Sequence, residues 1–165
     1  MTYTIDHVQP GDEAVLAHIQ TESWKAAFRD ILAPDILAQR TQADKATEMY
    51  RRLIETNYGH GYLLRVDAQP HCIAWWSQAR DNATPKCAEL ICIHSLPGRW
   101  RQGYGKAMME AVLRDIKAAG YRTVILWVFQ ENQRARRFYE ECGFSISDKT
   151  KENLGAVEVC YQRQL

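Results

Sequence analysis

The sequence predicts one mixed α/β domain, and three observations support that prediction. Strand-like and helix-like segments succeed one another in the order β-α-α-β-β-β-α-β-α-β-β. The chain of 165 residues can fill one apolar core but is too short for two ordinary domains. No internal repeat, linker or low-complexity segment separates one part of the sequence from another.

The first predicted elements are a strand and the helices that follow it. Residues 3–8 alternate between polar and apolar side chains and end at a Pro-Gly pair, which predicts a strand. Apolar side chains recur at helical spacing over residues 12–31 and predict an amphipathic helix. Pro34 interrupts that pattern, and residues 35–56 are expected to form one or two further helices.

Two strand patterns and two turns come next. Residues 62–66 and 72–76 are rich in apolar and aromatic side chains, which favour strands. Residues 67–70 between them have the composition of a turn, so an antiparallel hairpin is expected. Residues 81–85 form the next predicted turn.

A strand–helix–strand unit follows the second turn. A strand over residues 88–96 leads into a helix over residues 103–119, for which Gly120 is a suitable C-terminal cap. Residues 123–129 are almost continuously apolar, as expected of a central strand that is covered on both faces. The two strands should therefore run parallel and be joined by a right-handed crossover.

The C-terminal part is predicted to form a short helix and two strands. Asn132 is placed to cap a helix that runs through Glu141, and Gly143 ends it. The last two strands are expected over residues 144–147 and 156–162.

Composition excludes several classes of protein. The net charge of +1, from 21 lysines and arginines against 20 aspartates and glutamates, is too small to favour nucleic acid or an anionic membrane as partner. No apolar stretch approaches the roughly 18 residues of a membrane helix, and no basic start precedes an apolar run, so we expect a cytoplasmic protein. The cysteines are odd in number and lack C-x-x-C spacing, so we expect reduced core residues, with neither a disulfide framework nor a bound metal. They are Cys72, Cys87, Cys92, Cys142 and Cys160.

The junction between the strand over residues 88–96 and the following helix is the most informative segment. It has the sequence Pro97-Gly98-Arg99-Trp100-Arg101-Gln102-Gly103-Tyr104-Gly105-Lys106. Its glycines allow a ligand to approach the main chain, and the helix start offers unpaired amides that favour a phosphate. The spacing does not fit a Walker loop, because Tyr104 stands where lysine is required. It does not fit a dinucleotide fingerprint either, because Met108 stands where a third glycine or alanine is required. A surface loop with a helix cap is the alternative.

Two motifs, in this order, resemble the GNAT family of acyltransferases. The turn Arg101-Gln102-Gly103-Tyr104-Gly105-Lys106, between a strand and a helix, is similar to the acetyl-CoA motif of that family. The family's second signature is an Asn, an Ala, a Phe-Tyr pair and a Gly-Phe. It is matched by the run Asn132-Gln133-Arg134-Ala135-Arg136-Arg137-Phe138-Tyr139-Glu140-Glu141-Cys142-Gly143-Phe144. The order of elements also agrees over essentially the whole chain.

The resemblance implies a fold and a donor site. The fold is a mostly antiparallel sheet with helices on both faces, whose one parallel strand pair separates to admit the pantetheine of acetyl-CoA. The pantetheine would pair with the main chain of the first parallel strand, and the diphosphate would lie on the amides of the basic turn. The residues expected to bind the donor are Ile93, His94, Ser95, Arg101, Gln102, Gly103, Tyr104, Gly105, Lys106 and Asn132. The chain departs from the family at Trp100, where Gln or Arg is usual, and Arg99 or Arg101 is expected to supply the missing contact.

Two residues are expected to carry the chemistry. Tyr139, by its position in the second motif, would protonate the departing thiolate, since a phenol with an ordinary pKa of about 10 can donate at neutral pH. Glu89, on the strand beside the cleft, is the candidate base, directly or through water. His94 is an alternative base, and a sheet-surface carboxylate is the alternative interpretation of Glu89. No Ser-His-Asp or Cys-His arrangement is evident, so direct transfer in a ternary complex is expected rather than an acyl-enzyme.

The expected activity is transfer of acetyl from acetyl-CoA to a primary amine of a small molecule or a peptide. The acceptor side would be lined by residues 24–31, by Trp75 and Trp76, and by the last hairpin. One of the two adjacent tryptophans should face the core, and the other the cleft or a partner subunit, since strand neighbours point opposite ways. A non-catalytic acyl-CoA sensor and an enzyme that transfers a longer acyl group are the alternatives. The sequence leaves the acceptor and the presence of a homodimer open.

Overall fold

A computed structural model describes residues 2–81 and 84–165. Seven strands, five α-helices and a 3₁₀ turn at Pro97–Arg99 succeed one another in this part of the chain. The strands are β1 (Tyr3–His7), β2 (His60–Val66), β3 (Gln69–Gln78), β4 (Cys87–Ser95), β5 (Thr123–Phe129), β6 (Ser145–Asn153) and β7 (Ala156–Gln164). The helices are α1 (Glu13–Ala27), α2 (Pro34–Arg40), α3 (Ala43–Glu55), α4 (Tyr104–Ala118) and α5 (Gln133–Glu141).

The strands form one mixed sheet. Their order is β1-β2-β3-β4-β5-β7-β6, and every neighbouring pair is antiparallel except β4 and β5. The parallel pair is joined through α4, the crossover helix that the sequence predicts. The predicted fold class is therefore confirmed. Within residues 2–81 and 84–165, no helix combines the length and the apolar character that crossing a bilayer requires.

The parallel strands pair at one end only. Among the described residues, their register runs from Cys87 opposite Thr123 to Glu89 opposite Ile125. A bulge in β4 follows directly, because consecutive residues of β3 face Leu90 and Cys92, which leaves Ile91 as an extra residue. An extra residue bends its strand and increases the local twist. The opening between the C-terminal halves of β4 and β5 is therefore built into the sheet.

Each face of the sheet carries its own apolar core. On one face, Met108 and Ile116 of α4 are fully buried against strand residues that include Leu126. On the other face, Leu16 of α1 and Tyr50 of α3 are buried in a second cluster. Burial of one such apolar side chain contributes roughly 1.5–3 kcal/mol. The two cores hold α4 and α1 on opposite sides of the opening.

Trp75 and Trp76 belong to different cores, because neighbouring side chains of a strand point to opposite faces. Trp76 packs on the α4 face, where its Nε1 donates to the Tyr62 hydroxyl at 3.0 Å. Trp75 packs on the α1 face, and its Nε1 donates to the Tyr58 carbonyl at 2.9 Å. Trp76 is therefore the tryptophan that faces the α4 core, and Trp75 is the one on the acceptor side.

The predicted first helix is longer than α1. The helix ends at Ala27 and not at residue 31, because the chain turns at Phe28, whose carbonyl accepts from the amides of Ile31 and Leu32. Pro34 then begins α2, at a position where its missing N–H costs nothing.

Two further boundaries differ from the predictions. The hairpin turn consists of Asp67 and Ala68, both at positive φ, so that residues 69–70 belong to β3. Strand β6 extends to Asn153, well beyond residue 147, because an edge strand with solvent on both faces needs no apolar pattern. The turn predicted at residues 81–85 includes Asn82 and Ala83, which lie outside the described residues.

Candidate active site

A large cleft passes through the opening between β4 and β5. Its volume is about 1330 Å³, and it extends from the start of α4 to the β6–β7 hairpin. Every residue that is predicted from the sequence to act in catalysis or donor binding lines this cleft. These residues are Glu89, Ile93, His94, Ser95, Arg101, Gln102, Gly103, Tyr104, Gly105, Lys106, Asn132 and Tyr139.

The start of α4 has the geometry of an anion-binding nest. Gly103 is the N-cap, with a φ of +87°, and Arg101 just before it has a φ of +66°. The amide of Ala107 donates to the Gly103 carbonyl, so the amides of residues 104–106 precede the first bond of the helix. Among the described residues, no atom beyond the chain neighbours lies within 4 Å of a Cβ built at Gly103. A phosphate can therefore reach the positive end of the helix.

The C-terminal half of β4 turns main-chain groups toward the opening. The Leu96 amide donates to the His71 carbonyl of β3 at 2.9 Å, which sets the alternation of this antiparallel ladder. Ile93 and Ser95 occupy the alternate positions of the register, so their amides and carbonyls point away from β3. An extended ligand arm can pair with such an edge. The Ser95 carbonyl also accepts from Trp100 Nε1 at 3.1 Å.

Trp100 connects the basic turn to α5. The Cζ atom of Arg134 lies 3.6 Å from the centroid of the Trp100 ring, so the guanidinium stacks on the indole. Both residues line the cleft. A cation from α5 is therefore held beside the position at which the family usually has Gln or Arg. Arg134 is not among the residues predicted from the sequence, since nothing in the second motif indicates that it stacks on the turn.

Helix α5 lines the donor half of the cleft, which is the half that contains the anion-binding nest. Asn132 caps the helix as predicted, with its Oδ1 accepting from the Ala135 amide at 3.2 Å. The Tyr139 ring packs edge-on against Phe144, with centroids 6.2 Å apart. Burial is the main cause that raises the pKa of Tyr139 above its ordinary value of 10.0. The phenol therefore keeps its proton at neutral pH and can donate it in the cleft.

Glu89 stands where the pairing of β4 and β5 ends. Its side chain is 4% exposed, and its carboxylate accepts from the amide and Nε of Arg80, each at 3.2 Å, and from Nη2 at 2.5 Å. The fork of donors fixes the orientation of the side chain. Glu89 is thus held in place at the opening.

His94 faces α1 on the other side of the sheet. Its Nε2 accepts from Trp24 Nε1 at 3.3 Å. Burial lowers the pKa of His94 from 6.5 to about 4. The imidazole is therefore neutral at pH 7, and the nitrogen that could accept a proton is occupied. This arrangement disfavours His94 as the base.

We expect the stability of the protein to fall as the pH is lowered from about 7 to about 4, and His94 to cause part of the fall. The unfolded chain takes up a proton on this imidazole near pH 6.5, whereas the folded protein does so only near pH 4. Between these values the unfolded state binds more protons, so acid favours unfolding by up to about 3 kcal/mol. Urea unfolding at about pH 7 and about pH 4.5 should show a smaller loss in His94→Gln, which keeps an acceptor for Trp24. An equal loss in both proteins would contradict this assignment.

The second half of the cleft lies on the α1 face of the sheet. Trp24 and Phe28 of α1 line it together with Trp75, and the last hairpin contributes Lys151 and Glu158. Helix α1 and the hairpin are lining elements that the sequence predicts. Arg80 and Glu158 are not among the predicted residues, because neither lies in a motif and each acquires its surroundings from distant parts of the chain.

Comparisons with known proteins agree with the two sequence motifs. Residues 24–144 match the model of the Acetyltransferase (GNAT) family. An uncharacterized N-acetyltransferase of Mycobacterium bovis is 41% identical over 68 residues, which are 41% of this chain and 44% of that protein. The match therefore spans less than half the length of that relative. YycN, an uncharacterized N-acetyltransferase of Bacillus subtilis, is 29% identical over 150 residues, or 90% of this chain and 85% of that protein.

A solved structure shares the whole fold. It is the PaiA N-acetyltransferase from Thermoplasma acidophilum in complex with coenzyme A, with a TM-score of 0.84. The two chains are 17% identical, and the superposition covers 100% of each. At this identity the likeness concerns the fold alone, and the acceptor must be argued from the cleft.

Proposed function

This chain belongs to the GNAT family of acetyltransferases, as its two motifs predict, and from that premise we propose that it transfers acetyl from acetyl-CoA to a primary amine of a small molecule or a peptide. The observation that carries the proposal is the opening between β4 and β5, which joins the anion nest to the α1 face. A donor held along β4 and an amine entering beside α1 would meet in this opening. A module that only sensed acyl-CoA would not need the second half of the cleft.

The donor half fits the phosphates and the extended arm of coenzyme A. The amides of residues 104–106, with the Lys106 ammonium, would bind the diphosphate. The main chain at Ile93 and Ser95 would pair with the pantetheine, and Arg134 on Trp100 adds a cation at the same rim. The thioester supplies an activated acetyl group and a thiol that leaves.

Tyr139 and Glu89 would handle the protons of the reaction. The attacking amine must be neutral, and its nitrogen loses a proton as the C–N bond forms and the C–S bond breaks. Glu89 would accept that proton, directly or through water, and pass it to solvent. Tyr139 would give its proton to the departing thiolate and regain one from solvent. The balance requires neither an acyl-enzyme nor any further reactant.

Thiol release from acetyl-CoA in the presence of a panel of primary amines tests the proposal. We expect amine-dependent release, with the acetylated amine identified by mass spectrometry. Binding of coenzyme A in calorimetry without release for any amine would instead favour the sensor. Thioesters with longer acyl groups test the third alternative, and we expect the acetyl thioester to react fastest.

Glu89→Gln is expected to lower kcat/KM for the amine by about 10²-fold and to leave the affinity for coenzyme A within about twofold. Glutamine keeps the shape of the side chain and one acceptor for Arg80, but it does not take up a proton at neutral pH. The measurement is thiol release from about pH 6 to about pH 10, with thermal unfolding to verify the fold. The control is Glu22→Gln, the same change on the exposed side of α1. A wild-type rate and pH profile in Glu89→Gln would exclude Glu89 from the proton path.

A further inference from the structure

The second half of the cleft already holds a positive charge. The Nζ atom of Lys151 in β6 lies 4.2 Å from the centroid of the Trp127 ring in β5. The face of an indole attracts an ammonium at this distance. Lys151 is exposed, so its ammonium has access to water and nevertheless lies on the ring. The chain's own lysine thus marks a place that favours a cation.

The sheet register places a carboxylate beside this ring. Glu158 of β7 stands opposite Phe129 of β5 on one side and opposite Lys151 of β6 on the other. Trp127 precedes Phe129 by two residues, so its side chain shares that face and is the diagonal neighbour of Glu158. Indole, carboxylate and ammonium therefore lie together on the face that turns toward α1.

Glu158 differs from Glu89 in its partners. It is 9% exposed and lines the cleft. Of the ion pairs found within residues 2–81 and 84–165, one joins Glu89 to Arg80 and none includes Glu158. A buried carboxylate gains from a cationic partner, because burial removes much of its hydration. Arg80 interacts electrostatically with Glu158, but its direct ion pair is with Glu89. A positively charged group of a bound molecule would supply a direct partner.

We propose that Trp127 and Glu158 form an ammonium subsite and that the acceptor is an amine with a second positively charged group. This inference rests on the proposed function, since it names the substrate class of the same cleft. The acceptor's distal ammonium displaces Lys151 from the ring and pairs with Glu158. Its other nitrogen, deprotonated, reaches toward Glu89, which lies opposite Ile125, two residues before Trp127.

A matched pair of probes isolates the second charge. 1,5-Diaminopentane carries an ammonium where 5-amino-1-pentanol carries a hydroxyl, and the two are otherwise alike. We expect kcat/KM for the diamine in the thiol-release assay to be at least about tenfold higher, because the amino alcohol can fill the subsite with its only ammonium and then has no amine left to face Glu89. Equal kcat/KM values for the two probes would overturn the proposal.

Two variants and a control test the residues of the subsite. Glu158→Gln and Trp127→Leu should each bring the ratio of the two kcat/KM values close to one, and Glu131→Gln, the same change at an exposed position outside the cleft, should retain the wild-type ratio. Glu158→Gln removes only a charge, so it remains informative if the Trp127 variant fails to fold. A wild-type ratio in Glu158→Gln would contradict the subsite.

Lys151→Met removes the tethered ammonium and keeps most of the apolar stem. Because the diamine no longer competes with it for the ring, its binding should tighten by about threefold or more. Unchanged or weaker diamine binding in Lys151→Met would contradict the competition.

Binding and turnover distinguish the failure of this inference from the failure of the proposed function. If diamine binding depends on Trp127 and Glu158 while no amine releases thiol, the subsite is supported and the transfer is wrong. If both probes release thiol with equal kcat/KM values, the transfer is supported and the subsite is wrong.

Discussion

Gly103→Glu is expected to weaken the binding of coenzyme A by about 10²-fold or more. The new carboxylate would lie among the amides of residues 104–106, at the positive end of α4, where it repels a diphosphate and competes for the same donors. Strain adds to the effect, because Gly103 has a φ of +87°, which costs other residues roughly 1–2 kcal/mol. Isothermal calorimetry with coenzyme A measures the loss directly.

Gly103→Gln is the matched control for this change. Glutamine has nearly the same shape and the same backbone cost as glutamate, but it carries no charge. We expect a much smaller loss of affinity in Gly103→Gln, and we expect the gap between the two variants to narrow at high salt, where exposed charges are screened. Wild-type affinity for coenzyme A in Gly103→Glu would refute the assignment of the nest.

Tyr139→Phe is expected to lower kcat by about 10²- to 10³-fold while changing the affinity for coenzyme A by less than about twofold. Phenylalanine retains the ring that packs on Phe144, but it has no proton to give to the departing thiolate. Single-turnover thiol release measures the chemical step apart from donor binding. Tyr121→Phe, which removes a hydroxyl outside the cleft, is the control and should retain wild-type kcat.

The pH profile separates a proton donor from a packing residue at Tyr139. Burial raises the pKa of Tyr139 above 10.0, so the protonated donor persists to at least about pH 10. The rate should therefore rise with pH, as the acceptor amine loses its proton, and should not decline between about pH 8 and about pH 10. A decline in that range, or full activity in Tyr139→Phe, would remove Tyr139 from the mechanism.

Local signals in the sequence predicted some elements almost to the residue. Strand β5 has the predicted bounds because six apolar side chains in a row, five of them buried, follow Thr123 and favour a central strand. Helix α5 begins after Asn132 because the side-chain cap and the helix it starts lie within four residues of each other. Both causes are short-range, so neighbouring residues reveal them.

Other features depend on contacts that no segment contains. The end of α1 depends on Phe28, whose ring packs edge-on against Phe129 of the central strand with centroids 5.0 Å apart. The opening beside Glu89 depends on the extra residue Ile91, which is recognised only when β4 is aligned with β3. Trp75 and Trp76 point to opposite faces of β3, but the core that each of them joins is decided only when α1 and α4 pack on the sheet.

The sequence by itself determined the family, the order of the elements and the segment that forms the anion nest, because glycines, basic residues and a helix start act together within one continuous stretch. The tertiary structure alone decided which partner each charged or polar group of the cleft receives. The Arg80 guanidinium forms an ion pair with Glu89, and the Trp24 indole donates a hydrogen bond to His94. The Lys151 ammonium lies on the Trp127 ring beside Glu158. The proton affinity and the ligand preference of such a group depend on the charges and donors across the cleft, and strand register and helix docking bring those together from distant parts of the chain.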